Sequence, residues 1–181
     1  MLTIHARHGL ILAGLLASAL SAGFFYTYSI SVMPGLAATD PSSAIRAMQG
    51  INAVIRTPVF AFAFFGSLLF PLAVALAAWM GRARQVAVLA FLSAALYGLG
   101  VFAVTFLVNV PLNEALARAN PTSDTAGSLW ANYYGPWTTW NHLRAICVCL
   151  TFGLFAAAAV IHFRQPSSGW AASTPSRIER P

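Results

Sequence analysis

Lysine is absent from this 181-residue chain, and it holds only four acidic side chains, four histidines and two cysteines. Each shortage excludes something. With 8% charged and 59% hydrophobic residues, the chain lacks the polar side chains that a soluble domain of this length needs for its surface. Cys147 and Cys149 stand two apart, so on a helix they point to opposite sides and cannot bridge; they read as small core residues. No Gly-rich phosphate loop occurs, no Glu-x-x-His pair, and no carboxylate placed to be buried, which leaves nucleotides, iron and haem without a binding motif. His5 and His8 lie three apart near the start with no third ligand beside them, so they read as solvated residues and no metal site is expected.

What the chain has instead is apolar length. Runs at residues 9–32, 58–80, 86–110 and 143–163 each reach the roughly 20 residues that hydrocarbon demands of a spanning helix. The first run passes small residues at Ala17, Ser18 and Ala19 that resemble a signal cleavage site, yet continues apolar through Phe24, Phe25, Ile30 and Met33, longer than a signal core, and so reads as a retained span. Pro71 in the second run is tolerable because neighbouring helices can cover the freed carbonyl. Small residues recur every fourth position at Ala13, Ala17 and Ser21, at Ala73, Ala77 and Gly81, and at Ala94 and Gly98, which favours close helix packing. The turn at residues 81–84 is so short that the second and third spans must be antiparallel neighbours. The expected fold is all-α: an integral membrane four-helix bundle with short amphipathic helices in the outward loops, one domain over residues 1–164 and a disordered cytoplasmic tail over 165–181.

The net charge of +6 comes from ten arginines. Most flank span ends, which makes them a topology signal and not a nucleic-acid footprint. Arg7, Arg82, Arg84, Arg164, Arg177 and Arg180 with Glu179 fall on one side; Arg46, Arg56 and Arg118 with Asp40, Glu114 and Asp124 fall on the other. A multi-pass protein of the cell membrane with both termini cytoplasmic follows, the loops at 34–57 and 111–139 facing outward.

Polar groups crowd the outward ends. Trp137, Asn141, Arg144 and Val148 share one helix face, while His142 turns about 100° away. Asn109 ends the third run and Asn113 follows Pro111; an amide there must be hydrogen-bonded or hydrated, as a helix glue or as part of a pocket. Arg144 lies about a turn inside the fourth span, to be satisfied by snorkelling or by Glu114 or the two asparagines. Trp130, Tyr133, Tyr134, Trp137 and Trp140 form an aromatic belt at headgroup level. A short helix is expected around residues 114–119 and another around 125–134. Asp40 and Pro41 open a third, with Ile45, Met48, Ile51 and Ile55 on one face; it either covers the outward mouth, bringing Met48, Gln49 and Asn52 to a pocket, or lies in the interface.

The combination of residues 31–36 (Ser-Val-Met-Pro-Gly-Leu), Met48-Gln49 with Asn52, residues 109–113 (Asn-Val-Pro-Leu-Asn), and Trp137 with Trp140-Asn141-His142-Leu143-Arg144 resembles the anthrone oxygenase-like family of small membrane proteins, over nearly the whole chain. That resemblance implies removal of a proton from an anthrone's acidic methylene and reaction of the anion with dioxygen, with no separate cofactor. On it, His142 would be the base and Arg144 a second catalytic group, and Asn52, Asn109, Asn113, Trp137, Trp140 and Asn141 would hold a hydrophobic aromatic substrate. The competing reading is non-enzymatic: a membrane protein that binds or carries a small apolar molecule, or a subunit whose polar mouth serves a protein partner. A carrier would place polar groups near the bilayer midplane, and here they gather at one end. Partners are thus the bilayer and a small hydrophobic molecule, not nucleic acid; oligomeric state is not legible.

Overall fold

A computed structural model describes residues 4–122 and 124–164. The residues assigned to a disordered tail, with Arg177, Glu179 and Arg180, lie outside them. Among the described residues every regular element is helical, and four helices are long and apolar enough to cross a membrane. In chain order we label the elements α1 (His5–Ala37), α2 (Pro41–Val54), α3 (Pro58–Met80), α4 (Arg84–Ala117) and α5 (Ala126–Arg164). The protein is a multi-pass membrane bundle. α1 packs on α3, α3 on α4, α4 on α5 and α5 back on α1, closing a four-helix ring, with α2 laid across one end.

The chain reverses between α3 and α4 at Arg82, in the left-handed region at φ 61°. Interior packing is tight near the chain termini, where Ile11, Val74, Val86, Ala90, Phe155 and Ala158 meet. There α1 needs glycine at position 14, since a Cβ would lie 2.5 Å from the Phe155 ring and 2.9 Å from Phe70 Cβ. Two buried hydroxyls bond across helices: Ser21 bonds Tyr97 at 3.1 Å, and Ser93 donates to the Thr151 carbonyl at 3.0 Å. Leu12, Leu16, Leu69, Leu76, Leu107 and Ile146 face outward, as a lipid-facing surface requires.

The spans run longer than hydropathy alone indicates. The helix read at 114–119 is the last part of α4, and the helix read at 125–134 is the first part of α5, so both are continuous with a span; α2 alone stands as a separate helix between two of them. α5 has 39 residues, about 58 Å at 1.5 Å per residue, and so overshoots a hydrocarbon core of about 30 Å. Pro136 lies inside it. Pro34 and Pro111 are accommodated in another way. Each sits in the first turn of α-helix that follows a wider π-helical stretch, Tyr28–Val32 in α1 and Thr105–Asn109 in α4. The wider turn removes the clash a proline ring makes with the carbonyl four residues back, so the helix continues through both prolines.

α3 follows α4 along Arg84–Tyr97, and beyond Tyr97 the two backbones part. Phenylalanine rings bridge the widening gap: Phe64 stacks on Phe102 at 5.5 Å and meets Phe106 at 6.0 Å, and Phe65 meets Phe102 at 5.9 Å.

Candidate functional site

The end opposite the termini is covered by α2. Asp40 caps it, accepting from the Ser43 amide at 2.9 Å, with Pro41 in the first turn. Ile45 and Met48 are wholly buried, packed with Met33, Leu116, Trp130 and Trp137. Gln49 Nε2 donates to the carbonyls of Leu116 (2.8 Å) and Ala119 (3.1 Å), pinning α2 to the end of α4.

Below α2 lies a cavity of about 860 Å³, in the size range of small-molecule sites. Every helix contributes to its wall: Phe24, Phe25 and Tyr28 from α1, Gln49 and Asn52 from α2, Phe60, Phe64 and Phe65 from α3, Thr105, Phe106, Asn109, Asn113 and Glu114 from α4, and Trp137 and Arg144 from α5. Three phenylalanines dominate the α3 side of this wall. Sequence reading saw no chemistry in that span because a phenylalanine-rich helix in lipid looks the same whether it lines a cavity or faces the membrane.

Arg144 is 4% exposed. Its Nη1 donates to Thr105 Oγ1 at 3.1 Å and its Nη2 to Asn141 Oδ1 at 3.0 Å, while Nε has no partner. The guanidinium carbon sits 4.7 Å from the centre of the Phe25 ring and 5.1 Å from that of Trp137. These partners are all neutral. Glu114, offered by the sequence as a counter-ion, lines the same cavity but is exposed, at its edge. Asn141 is wholly buried and ties α5 to α1: its Nδ2 donates to the Phe25 carbonyl (3.0 Å) and to Ser29 Oγ (2.8 Å), the latter in the π-helical part of α1, and its Oδ1 accepts from Arg144 on its own helix. It holds the arginine from behind and is not on the cavity wall.

Asn109 Nδ2 donates to the Trp137 carbonyl at 3.2 Å, leaving Oδ1 buried without a partner. Asn113 Oδ1 accepts from both Tyr133 Oη and Trp137 Nε1, each at 2.8 Å, and so fixes the indole that lies against Arg144. Asn52 Nδ2, on α2, also lacks a partner. Three polar atoms on cavity-lining residues therefore have unspent capacity: two donors, on Arg144 and Asn52, and one acceptor, on Asn109.

Of the residues singled out from sequence, Asn52, Asn109, Asn113, Trp137 and Arg144 line one cavity and Asn141 braces it. Trp140 and His142 do not line it: both are exposed on the other side of α5, as the 100° helical step dictates. No geometry here brings His142 to a ligand in this cavity. Phe25, Tyr28 and Thr105 also line the cavity and were not among the site residues singled out from sequence. Thr105 falls on the same polar stripe as Asn109, and Tyr28 belongs to the hydroxyl-rich end of the first span, so both carried a signal; Phe25 carried none.

Such a chain is a small multi-pass membrane protein whose buried polar side chains converge at one end of a four-helix bundle. It belongs to the anthrone oxygenase family, whose model matches residues 59–154. The matched segment takes in α3, α4 and most of α5, with Asn109, Asn113, Trp137, Asn141 and Arg144. Residues 31–36 and Asn52, which also carried the resemblance, lie before it. No curated protein and no solved structure matches the chain.

Proposed function

We propose that the cavity binds a flat, hydrophobic aromatic ketone of the anthrone type and that the protein is an oxygenase using dioxygen without a resident cofactor. The observation that carries this reading is Arg144: a buried cation, held by neutral side chains, with an unspent donor beside a cavity walled by aromatic rings. A guanidinium so placed invites negative charge, and the charge that an anthrone develops on losing its methylene proton resides largely on its ketone oxygen.

The steps balance as follows. A C–H bond of the methylene breaks and the proton goes to Glu114, the carboxylate on the cavity wall; the electron pair spreads into the ring system as a phenolate-like anion held by Arg144. Asn109 Oδ1 accepts a hydrogen bond from a ring hydroxyl and Asn52 Nδ2 donates to a second oxygen, orienting the ring between Trp137 and the phenylalanines of α3. The anion reduces dioxygen, a C–O bond forms at the former methylene carbon, and protonation gives a hydroperoxide. Loss of the remaining hydrogen on that carbon with cleavage of the O–O bond releases water and leaves a second ketone. One anthrone and one dioxygen thus give one anthraquinone and one water.

The test is oxygen uptake by purified protein in lipid nanodiscs supplied with an anthrone, corrected for the anthrone's own autoxidation, with quinone formation followed in parallel. The expected result is one quinone per dioxygen, reduced about 10²–10³-fold in Arg144→Met, the range for removing one oxyanion donor. Uptake at the autoxidation rate for the wild-type protein with a panel of anthrones and quinols overturns the oxygenase reading and leaves a binding protein.

A further inference from the structure

The cavity does not open through α2 alone. Its wall includes Thr57 and Pro58 at the head of α3, both exposed, and then Phe65, 42% exposed, deeper on the same helix; across from it stand Phe106, 46% exposed, and nearer the mouth Glu114 and Ala117. These residues line the chamber and also reach the outer surface of the bundle, on the side where α3 and α4 part beyond Tyr97. From Pro58 to Phe65 is seven residues, about 10 Å of helix. With Pro58 at headgroup level, the gap reaches roughly a third of the way into a hydrocarbon core of about 30 Å. Backbones do not close it; the rings of Phe64, Phe65, Phe102 and Phe106 do, and such rings can turn without moving a helix.

We propose that this gap is a side entrance from the bilayer and an extension of the binding site, and that the ligand is a single-tailed amphiphile: an aromatic, oxygen-bearing head in the chamber and an apolar substituent passing between Phe65 and Phe106 into lipid. Two features point to a tail there and not beneath α2. On the α2 side the wall mixes Gln49 and Asn52 with Ile51 and Ala53, and Gln49 pins the helix to Leu116 and Ala119, whereas below Thr57 and Glu114 the α3–α4 gap is lined by Phe65 and Phe106 at a depth where only lipid lies outside. Arg144 and the orphaned atoms of Asn109 and Asn52 satisfy a polar head and offer nothing to a chain. Phe65 and Phe106 then determine specificity by the width they leave. This inference takes the polar chamber of the proposed function as the seat of the head, but does not require that the ligand be oxidised there.

The experiment uses wild-type protein in phosphatidylcholine nanodiscs and two photoreactive 4-alkylphenols, one carrying a diazirine at the end of the alkyl chain and the other on the ring. Adducts are mapped by mass spectrometry with and without excess unlabelled 4-alkylphenol. Expected are tail adducts on Phe65, Phe102 and Phe106, ring adducts on Asn109 and Trp137, and suppression of both by the competitor. Tail adducts on the α2 side, at Ile51 and Ala53, or spread over Leu69, Leu107 and Ile146 without competition, overturn the side entrance; if ring adducts stay in the chamber, the head site stands. Ring adducts absent from the chamber remove the head site and the entrance together. In a second arm, Phe65→Trp with Phe106→Trp narrows the gap and is expected to lose the competed tail adduct while keeping the ring adduct; an unchanged tail adduct again overturns the entrance.

Discussion

Arg144 occupies a place where a cation is expensive, and its neighbours do little to offset that cost. Placing a charged side chain within a span costs several kcal/mol, and pairing with a carboxylate is the usual compensation. Here the compensation is a threonine hydroxyl, an asparagine carbonyl and two ring faces. Replacing a buried ion pair by apolar side chains of similar volume is often neutral or stabilising by about 1–4 kcal/mol, and removing Arg144, whose partners are all neutral, likewise leaves no unpaired charge behind. Against that, Arg144→Met strips Asn141 Oδ1 of the donor it now has, a loss of about 1–3 kcal/mol. The two nearly cancel, so Arg144→Met is expected to keep the melting temperature of the purified protein within a few degrees of wild type while oxygen uptake falls about 10²–10³-fold. A large drop in melting temperature would make Arg144 a structural cross-brace, which the proposed function does not need. Asn141→Leu should behave in the opposite way. It breaks three bonds to α1 and α5 at once, and both melting temperature and activity should fall.

Among the elements, α4 and α2 carry distinct consequences. α4 meets α5 tightly at Gly100, where an added Cβ would lie 2.5 Å from Cys147 Sγ and 2.8 Å from its Cβ. Overpacking of this kind costs about 1–3 kcal/mol. Gly100→Ala should therefore lower the denaturation midpoint in detergent. Adding Cys147→Ala should restore only part of it, because the Cβ at 2.8 Å remains. Gly98→Ala is the control: its nearest foreign atom is Leu68 Cδ1 at 3.6 Å, ordinary contact distance, and little change is expected. For α2 the sensitive point is Asp40. Its carboxyl is held below the ordinary carboxylate range by the Ser43 hydroxyl first, then by the Ser43 amide, with Arg46 adding to them. A depressed carboxylate contributes stability in full above its unfolded pKa of about 4 and loses it as pH falls through the lower folded value. Hydrogen exchange of the first turn of α2, corrected for intrinsic rates, should show protection that drops at acid pH in the wild type. In Asp40→Asn, which caps without titrating, protection should be flat. An identical pH dependence in both would assign the effect elsewhere.

For the whole molecule, what sequence could show was set by periodicity. Hydrocarbon thickness imposes apolar runs long enough to count, so the four spans and the neighbouring of α3 and α4 were legible, and so was the stripe of Trp137, Asn141 and Arg144. The continuity of the helices was not, because the apolar runs stop short of the helix ends and the π-helical turn that absorbs Pro111 has no local signature. The cavity was legible on its polar side and invisible on its aromatic one: a phenylalanine in a span looks alike whether it faces lipid or a chamber, and only the parting of α3 from α4 separates Phe64 and Phe65 from Leu69. Pairing of small residues pointed to Gly98, which meets Leu68 of α3, and not to Gly100, two residues on and turned about 200° toward Cys147 of α5. Charge remains as the whole-molecule signal of orientation. Among the described residues, the end holding the termini has Arg7, Arg82, Arg84 and Arg164 and no acid, a surplus of four. The α2 end sets Arg46, Arg56 and Arg118 against Asp40, Glu114 and Asp124, a balance of zero. Arginine flanking short loops is retained on the cytoplasmic side, so the chamber should face outward and the termini inward. In a variant lacking both native cysteines, a cysteine at exposed Ala47 on α2 should react with a membrane-impermeant maleimide on intact cells. One at exposed His5 should react only after permeabilisation. The reverse pattern would put the chamber on the cytoplasmic side, and a polar ligand head would then have to be supplied from within the cell.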